Sequence, residues 1–251
     1  MPNRQGFQFH EFPALYDVQH GGYQEDLPFW KDLAQRYGTP FLELGCGSGR
    51  VLLALEQAGF GGVGLDRDME MLKFLRGKRE AAVFCADMTA FRLAGLFRLV
   101  ILPCNTYSTL NTLERQKVLK MVKHHLHPQG AFAVCLPNPR LLGLLPEVAE
   151  TEVEEIIAHP VDGLPVQIST SWVRNESVLR IFWHYDHLFP DGRVTRLTVE
   201  QAHQLNPAEL YEEEFAGEGF AVVGRYGDFS LKPFERYSAY LIYVLELLSE
   251  A

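Results

Sequence analysis

The chain has 251 residues, 47% of them hydrophobic and 12% aromatic, which suits a folded protein with one sizeable core and excludes a disordered chain. Its 23 lysines and arginines against 32 acids leave a formal charge of −9. There is thus no basic footprint for a nucleic-acid backbone or an anionic membrane, and a neutral or cationic small-molecule partner fits better.

Met1 to Gln5 lack the apolar core of a secretion signal, and no stretch reaches the about eighteen apolar residues of a membrane span, so a cytoplasmic protein is expected. Cys46, Cys85, Cys104 and Cys135 have no metal-type or redox-type spacing and read as buried reduced thiols. No internal repeat or low-complexity stretch divides the chain.

Residues 1 to 38 carry Phe7, Phe9, Phe12, Tyr16, Tyr23, Phe29 and Trp30. A segment this aromatic, too short for its own core, is expected to pack as a lid or cap, with Gly21-Gly22 as a hinge. Phe41 to Leu44 then reads as a short buried strand, Gly45, Gly47 and Gly49 as a turn, and Arg50 to Leu55 as the start of an amphipathic helix. Together they predict a ligand cradle. Glycine permits left-handed backbone and close approach, and the unpaired N–H groups of the first helical turn point at the ligand. A dinucleotide turn needs its third glycine where Arg50 stands, which counts against a nicotinamide-dependent oxidoreductase.

Gly61 to Asp66 reads as a second strand ending in an acid, roughly twenty residues after the first glycine, where a carboxylate can accept from ribose hydroxyls. Asp68 is placed to cap a helix through Met69-Glu70-Met71-Leu72. A third strand, Ala82 to Cys85, runs into Asp87-Met88, and Asp87 by itself reads as a turn or N-cap residue.

In this order, Glu43-x-Gly45-x-Gly47-x-Gly49, Asp66 and Asp87-Met88 resemble the cofactor motifs of class I S-adenosylmethionine-dependent methyltransferases of the small-molecule type. The resemblance implies that Glu43, Gly45, Gly47 and Gly49 hold the methionine end of S-adenosylmethionine. Asp66, followed by Arg67, would take the ribose, and Asp87 and Met88 the adenine. Leu15-Tyr16-Asp17 and the stretch around Tyr23 resemble N-terminal patches whose tyrosine hydroxyls reach the cofactor or the acceptor. Tyr23 is expected on the cofactor and Tyr16 on the acceptor, and aromatic packing of a leading helix is the other reading of both.

Arg98 to Leu102 is a fourth strand, and Asn111 with Glu114 three residues on predicts a capped helix that stops at Pro128. Ala131 to Leu136 is a fifth strand, apolar on both faces, as in the middle of a parallel sheet. After the fourth strand comes Leu102-Pro103-Cys104-Asn105-Thr106-Tyr107-Ser108, unlike the Asp/Asn-Pro-Pro-aromatic signature of nucleobase and amide methyltransferases. It is similar to the version in small-molecule members, which implies strand-end carbonyls near Leu102 on the cofactor's ammonium group. Asn105 is then a candidate acceptor ligand, or only a turn residue.

From 152 to 203 the period changes to two. Val166, Ile168, Thr170 and Trp172 alternate with polar neighbours, as do Leu179, Ile181, Trp183 and Tyr185, predicting an inserted sheet of antiparallel hairpins. Alternation puts His184 and Asp186 on one face and Trp183, Tyr185 and His187 on the other. The second face can line a substrate pocket, or be a solvated or homodimer-forming surface. Pro207 starts a further helix, Phe220 to Gly224 is a strand, and Tyr237 to Val244 closes the fold.

The expected architecture is α/β, a doubly wound Rossmann-like sheet of seven strands with an antiparallel last strand, plus the inserted hairpin sheet. Its parts are a lid (1–38), a cofactor-binding domain (39–151 with 204–251) and an insert (152–203). The expected function is methyl transfer from S-adenosylmethionine, leaving S-adenosylhomocysteine, to an N or O atom of a small molecule by in-line displacement. No metal is called for. His184, His187 and Tyr107 are the candidates for a base. The alternative is a non-catalytic S-adenosylmethionine-binding module, whose sequence mark would be a damaged glycine turn or a missing ribose acid. The run Lys73, Arg76, Lys78 and Arg79 reads as a solvated helix side rather than a nucleic-acid face.

Overall fold

The computed structural model describes residues 11–79 and 81–248. Two helices lead, α1 (Phe12–His20) and α2 (Leu27–Tyr37). Strands and helices then alternate: β1 (Phe41–Leu44), α3 (Arg50–Gln57), β2 (Gly62–Asp66), α4 (Met69–Lys78), β3 (Val83–Cys85), β4 (Phe97–Leu102), α5 (Thr112–His125) and β5 (Leu126–Pro137). After the short α6 (Pro139–Leu142) come four long strands, β6 (Val148–Ala158), β7 (Pro165–Arg174), β8 (Val178–Leu188) and β9 (Val194–Gln204). The chain ends on α7 (Ala208–Gly217), β10 (Phe220–Tyr226) and β11 (Tyr240–Leu247). No helix among the described residues is long and apolar enough to cross a membrane.

Local chemistry sets several of these boundaries. The Asp68 carboxylate accepts from the N–H groups of Glu70 and Met71 and starts α4, while Asn111 and Glu114 form a reciprocal capping box on α5. Leu126 to Pro137, apolar over most of its length, is the buried centre of a seven-stranded sheet of order β10-β11-β5-β4-β1-β2-β3. β11 runs antiparallel to both β5 and β10, whereas the pairs from β5 through β4, β1 and β2 to β3 are parallel.

Strand alternation divides the core into two layers. Val100, Leu102, Phe132, Val134 and Leu136 face one way and pack with Val118, Val122, Tyr211 and Phe215 of α5 and α7. Leu99, Ile101, Ala131, Ala133 and Cys135 face the other way, onto Trp30, Leu52 and Leu75 of α2, α3 and α4.

The second sheet, order β6-β7-β8-β9, is antiparallel throughout. It starts at Val148 rather than at 152, because register shifts between Ala149 and Glu152 and between Val153 and Glu155 break the period-two pattern of β6. The closing strand enters its sheet at Tyr240 and not at Tyr237, which is exposed. α1 packs on the second sheet, with Leu15 in a small core of Val166, Ile168, Tyr185 and Leu197. An ion pair from Lys78 to Asp17 at 2.6 Å ties α1 back to α4. Among the four cysteines only Cys46 and Cys135 are buried. Cys85 and Cys104 are exposed because they sit at carboxyl ends of strands, facing the crevice, rather than within the core.

Candidate active site

In an open parallel sheet the crevice lies beyond the carboxyl ends of the strands, where the strand order reverses. Here that place is between β1 and β4. β1 ends at Leu44, and Gly45, Gly47 and Gly49 follow with φ of 67°, 52° and 84°, a left-handed run that only glycine adopts cheaply. A Cβ on Gly49 would lie 2.3 Å from a methyl carbon of Leu75, so that glycine lets α3 seat on α4. A Cβ on Gly47 would meet nothing within 4 Å, leaving its backbone open to a ligand.

Asp66, at the end of β2, ties this turn down. Its Oδ2 accepts from Gly47 N–H at 2.8 Å and its Oδ1 from Asp68 N–H at 2.8 Å. Burial pushes the Asp66 carboxyl up, against the pull of those two N–H groups. Each oxygen has taken one N–H and retains acceptor capacity, which a ribose diol can use. Behind the turn, Glu43 is buried, and its Oε2 has no hydrogen-bond partner among the described residues. Burial raises its carboxyl well above the ordinary value, with Arg50 opposing. A buried unsatisfied carboxylate oxygen is costly, and a cationic group in the crevice would relieve it.

Met88 bends over the cradle, its Cε 3.4 Å from where a Gly45 Cβ would stand, with Leu102 Cδ1 at 3.9 Å from the same point. Asp87 is exposed and accepts from Thr89 N–H at 2.7 Å. Its carboxyl is held down chiefly by that bond. Arg67 is exposed, and it is its backbone carbonyl that meets the Cys85 thiol. At the end of β4 the chain turns through Cys104 and Asn105 with φ of 59° and 60°, two successive non-glycine residues in left-handed backbone. Strain of this kind, about 1–3 kcal/mol per residue, collects at functional turns.

The floor of the crevice is built on an arginine that motif matching counts only as a missing glycine. Arg50 makes two parallel bonds to Asp26, at 2.6 and 2.7 Å, and donates to the Tyr23 carbonyl at 2.9 Å and to the Cys104 sulfur at 3.3 Å. Asp26 is buried and also accepts from the indole of Trp30 at 2.9 Å. Tyr23 lies under the Arg50 guanidinium, and its hydroxyl meets that of Tyr240 at 3.3 Å. Above them stand Tyr16, His20 and Trp183, with ring centroids 4.5 Å and 6.0 Å apart in turn. Burial pushes the Tyr16 hydroxyl up, with Cys104 adding and Arg50 opposing. Burial, with Arg50 adding, lowers His20 to about 4, so its imidazole is neutral at pH 7. Arg50, Asp26 and His20 escaped the sequence reading because an arginine after a glycine turn and an acid before a helix read as ordinary surface residues.

Several expected site residues lie elsewhere. Tyr107 is fully buried against Phe132, Tyr211 and Phe215 on the α5/α7 side of the sheet, because the turn after β4 directs its ring into the core. His184 bonds to Ser171 and Thr198 on the face of the second sheet opposite α1, so it does not reach the cradle. His187 shares the α1-side face but sits beyond Tyr185 from the crevice, against His159 and Asp162. Tyr185 is buried beneath α1, its hydroxyl donating to Gln19 at 2.6 Å, and so supports the helix rather than lining a pocket. Asn105 turns its side-chain oxygen toward the Cys135 thiol.

Residues 41–130 match a family model described as a methyltransferase domain. None of the curated proteins compared by sequence matches the chain. Among solved structures, an S-adenosylmethionine-dependent methyltransferase from Clostridium acetobutylicum superposes with a TM-score of 0.78 at 16% identity, covering 96% of this chain and 99% of its own. The sugar N-methyltransferase KedS8 from a Streptoalloteichus species gives 0.77 at 19% identity, covering 100% and 98%. The S-adenosylmethionine-bound CalS10 from Micromonospora echinaspora, an amino pentose methyltransferase, gives 0.68 at 18%, covering 98% and 99%.

Residues 41–130 thus match a methyltransferase-domain model, and the whole chain shares the fold of the S-adenosylmethionine-dependent methyltransferases it superposes on. The crevice suits the cofactor of that class. Glu43 offers a buried oxygen to an ammonium group, Asp66 a held carboxylate to a diol, and Gly47 an open backbone beside both.

Proposed function

We propose that the protein methylates a nitrogen or oxygen atom of a small molecule, using S-adenosylmethionine and leaving S-adenosylhomocysteine. The observation that carries this reading is the orphaned Glu43 oxygen beside the Asp66-anchored glycine turn, with the left-handed Cys104-Asn105 turn at the end of the neighbouring strand β4. The cofactor, when bound, supplies a methyl group already activated on sulfur, so the chain needs no covalent nucleophile. Its work is alignment of the acceptor and exclusion of water.

In this reading Glu43 holds the cofactor's ammonium group with Leu102 at the strand end, and Tyr23 and Arg50 border its carboxylate. Asp66 with Arg67 takes the ribose, and Asp87 and Met88 the adenine. Tyr16, His20 and Trp183 wall the acceptor side and Asn105 shapes the turn below it, while α1 is the lid. An amine acceptor must arrive unprotonated to react, and the neutral His20 imidazole, lowered to about 4, is placed on that side to orient it by a hydrogen bond rather than to take its proton. The aromatic wall and the −9 charge suit a neutral or cationic organic acceptor rather than a nucleic acid or a membrane surface. KedS8 is named a sugar N-methyltransferase and CalS10 an amino pentose methyltransferase, which makes sugar amines the first acceptors to try.

The test is transfer of label from methyl-labelled S-adenosylmethionine to a panel of amino sugars, other small amines and alcohols, using wild type and Tyr16→Phe, His20→Ala and Asp66→Ala. Turnover with some acceptor, lost in Asp66→Ala and reduced in kcat by His20→Ala, supports the reading. Cofactor binding with no transfer to any class would favour a non-catalytic binding module.

A further inference from the structure

A second cluster lies at the far end of the inserted sheet. The turn between β6 and β7 is closed by His159 N–H to the Leu164 carbonyl at 2.8 Å and by Gly163 N–H to the His159 carbonyl at 2.9 Å. This closure folds the His159 ring under the sheet, where the residue is 3% exposed. Neither of its ring nitrogens makes a hydrogen bond among the described residues. Its Nδ1 approaches Asp162 Oδ1 at 3.1 Å, off the line that an N–H bond requires. The other oxygen of Asp162 lies 3.2 Å from Nε2 of His187, at the end of β8. The two imidazoles stack at 4.2 Å with 19° between their planes, so both present edges to one carboxylate.

Two ligand atoms held about 2.0–2.1 Å from one ion at tetrahedral to octahedral angles stand roughly 2.9–3.4 Å apart. The two nitrogen–oxygen separations, one to each oxygen of Asp162, fall in that range, and one ligand atom from each of the three residues lies within 4.8 Å of the others. Two imidazoles and a carboxylate suit zinc, cobalt or nickel better than magnesium or calcium, which prefer all-oxygen cages. A buried imidazole with no bonded nitrogen is costly as it stands, and a metal ion removes that cost.

We infer that His159, Asp162 and His187 form a binding site for one divalent transition-metal ion, a clip joining the β6–β7 turn to the end of β8. The site is independent of methyl transfer. His187 is four residues beyond Trp183 on β8, about 13 Å at 3.3 Å per residue, which sets the cluster away from the crevice.

Co²⁺ alone, titrated into the metal-stripped full chain at pH 7.5, reads the site through its visible absorption. The expected result is one equivalent bound, with a thermal midpoint that rises as Co²⁺ is added. His159→Gln and Asp162→Asn should each weaken binding at least tenfold and abolish the rise. Asn at 162 can still accept from Leu164 N–H, so the urea midpoint of metal-free Asp162→Asn should match wild type, confirming that the fold is intact. Absence of Co²⁺ uptake, or uptake unchanged in both variants because other histidines bind it, would overturn the inference.

Discussion

Replacing Arg50 by Met removes the guanidinium but keeps the aliphatic stem, and so isolates the polar work of that side chain. The Arg50 and Asp26 side chains are 11% and 2% exposed and joined by two short bonds, so the change leaves a buried carboxylate with only the Trp30 N–H. Breaking a buried pair from one side costs about 3–5 kcal/mol, mostly because the remaining charge is stranded. In the Asp26→Asn background the stranded charge is that of Arg50 itself, which the same change removes, so the cost should be at most about 1–2 kcal/mol, the value of ordinary hydrogen bonds. The coupling is thus at least about 2 kcal/mol. At a urea slope of about 3 kcal/mol/M, Arg50→Met alone lowers the unfolding midpoint by roughly 1–1.7 M. Urea unfolding of wild type, both single variants and the double variant measures the cycle. Equal cost of Arg50→Met in both backgrounds, or a cost below about 1 kcal/mol in wild type, would refute the reasoning that the pair is a buried charge network.

Two glycines of the cradle should separate fold from binding. Gly49→Ala puts a methyl into Leu75 at φ 84° and should cost about 2–4 kcal/mol by urea unfolding. Gly47→Ala meets open space, so it should cost only about 1–2 kcal/mol while weakening S-adenosylhomocysteine binding in calorimetry. Glu43→Gln removes a carboxyl that burial disfavours in its charged form. The urea midpoint at pH 8 should hold or rise, while S-adenosylhomocysteine affinity falls roughly ten- to a hundredfold with the lost charge-assisted bond. His203, buried on β9 with its Nδ1 2.8 Å from the Ser108 hydroxyl, is lowered by burial to about 4. Between that value and about 6.5 the unfolded chain binds the extra proton, so stability rises with pH across the window and is flat above it. The contribution is about 3 kcal/mol. His203→Gln should reduce the dependence of the urea midpoint on pH between 4 and 6.5, leaving the share that His20 contributes, and an unchanged slope would contradict the assignment.

The parts of this molecule that local chemistry decides were legible in its sequence. Asp68 and the Asn111/Glu114 pair cap helices using only neighbours within a few residues, and the alternation around Tyr185 gave the faces of β8 because that strand has no bulge. β6 was misplaced at its start because two bulges break its period. The glycine turn and the acid that ties it down, Asp66, were legible from spacing and strand ends. The aromatic and charged wall beside them was not. Arg50 finds Asp26 only once α2 and α3 pack, 24 positions apart, and His20 meets Trp183 only when α1 docks on the second sheet. Tyr107 shows the reverse error, a tyrosine near the right strand end whose ring the turn sends into the core. His159 carried no signal at all, since its partners arrive through a hairpin closure and a neighbouring strand.

The most direct test of the central claim is calorimetric titration of S-adenosylhomocysteine into wild type and Asp66→Ala. The structure predicts one site in wild type and at least a tenfold loss in the variant, since the carboxylate that anchors Gly47 is also the expected ribose ligand. No binding by wild type, or equal binding by both, would contradict the assignment of the Gly45–Gly49 turn and Asp66 as the cofactor site.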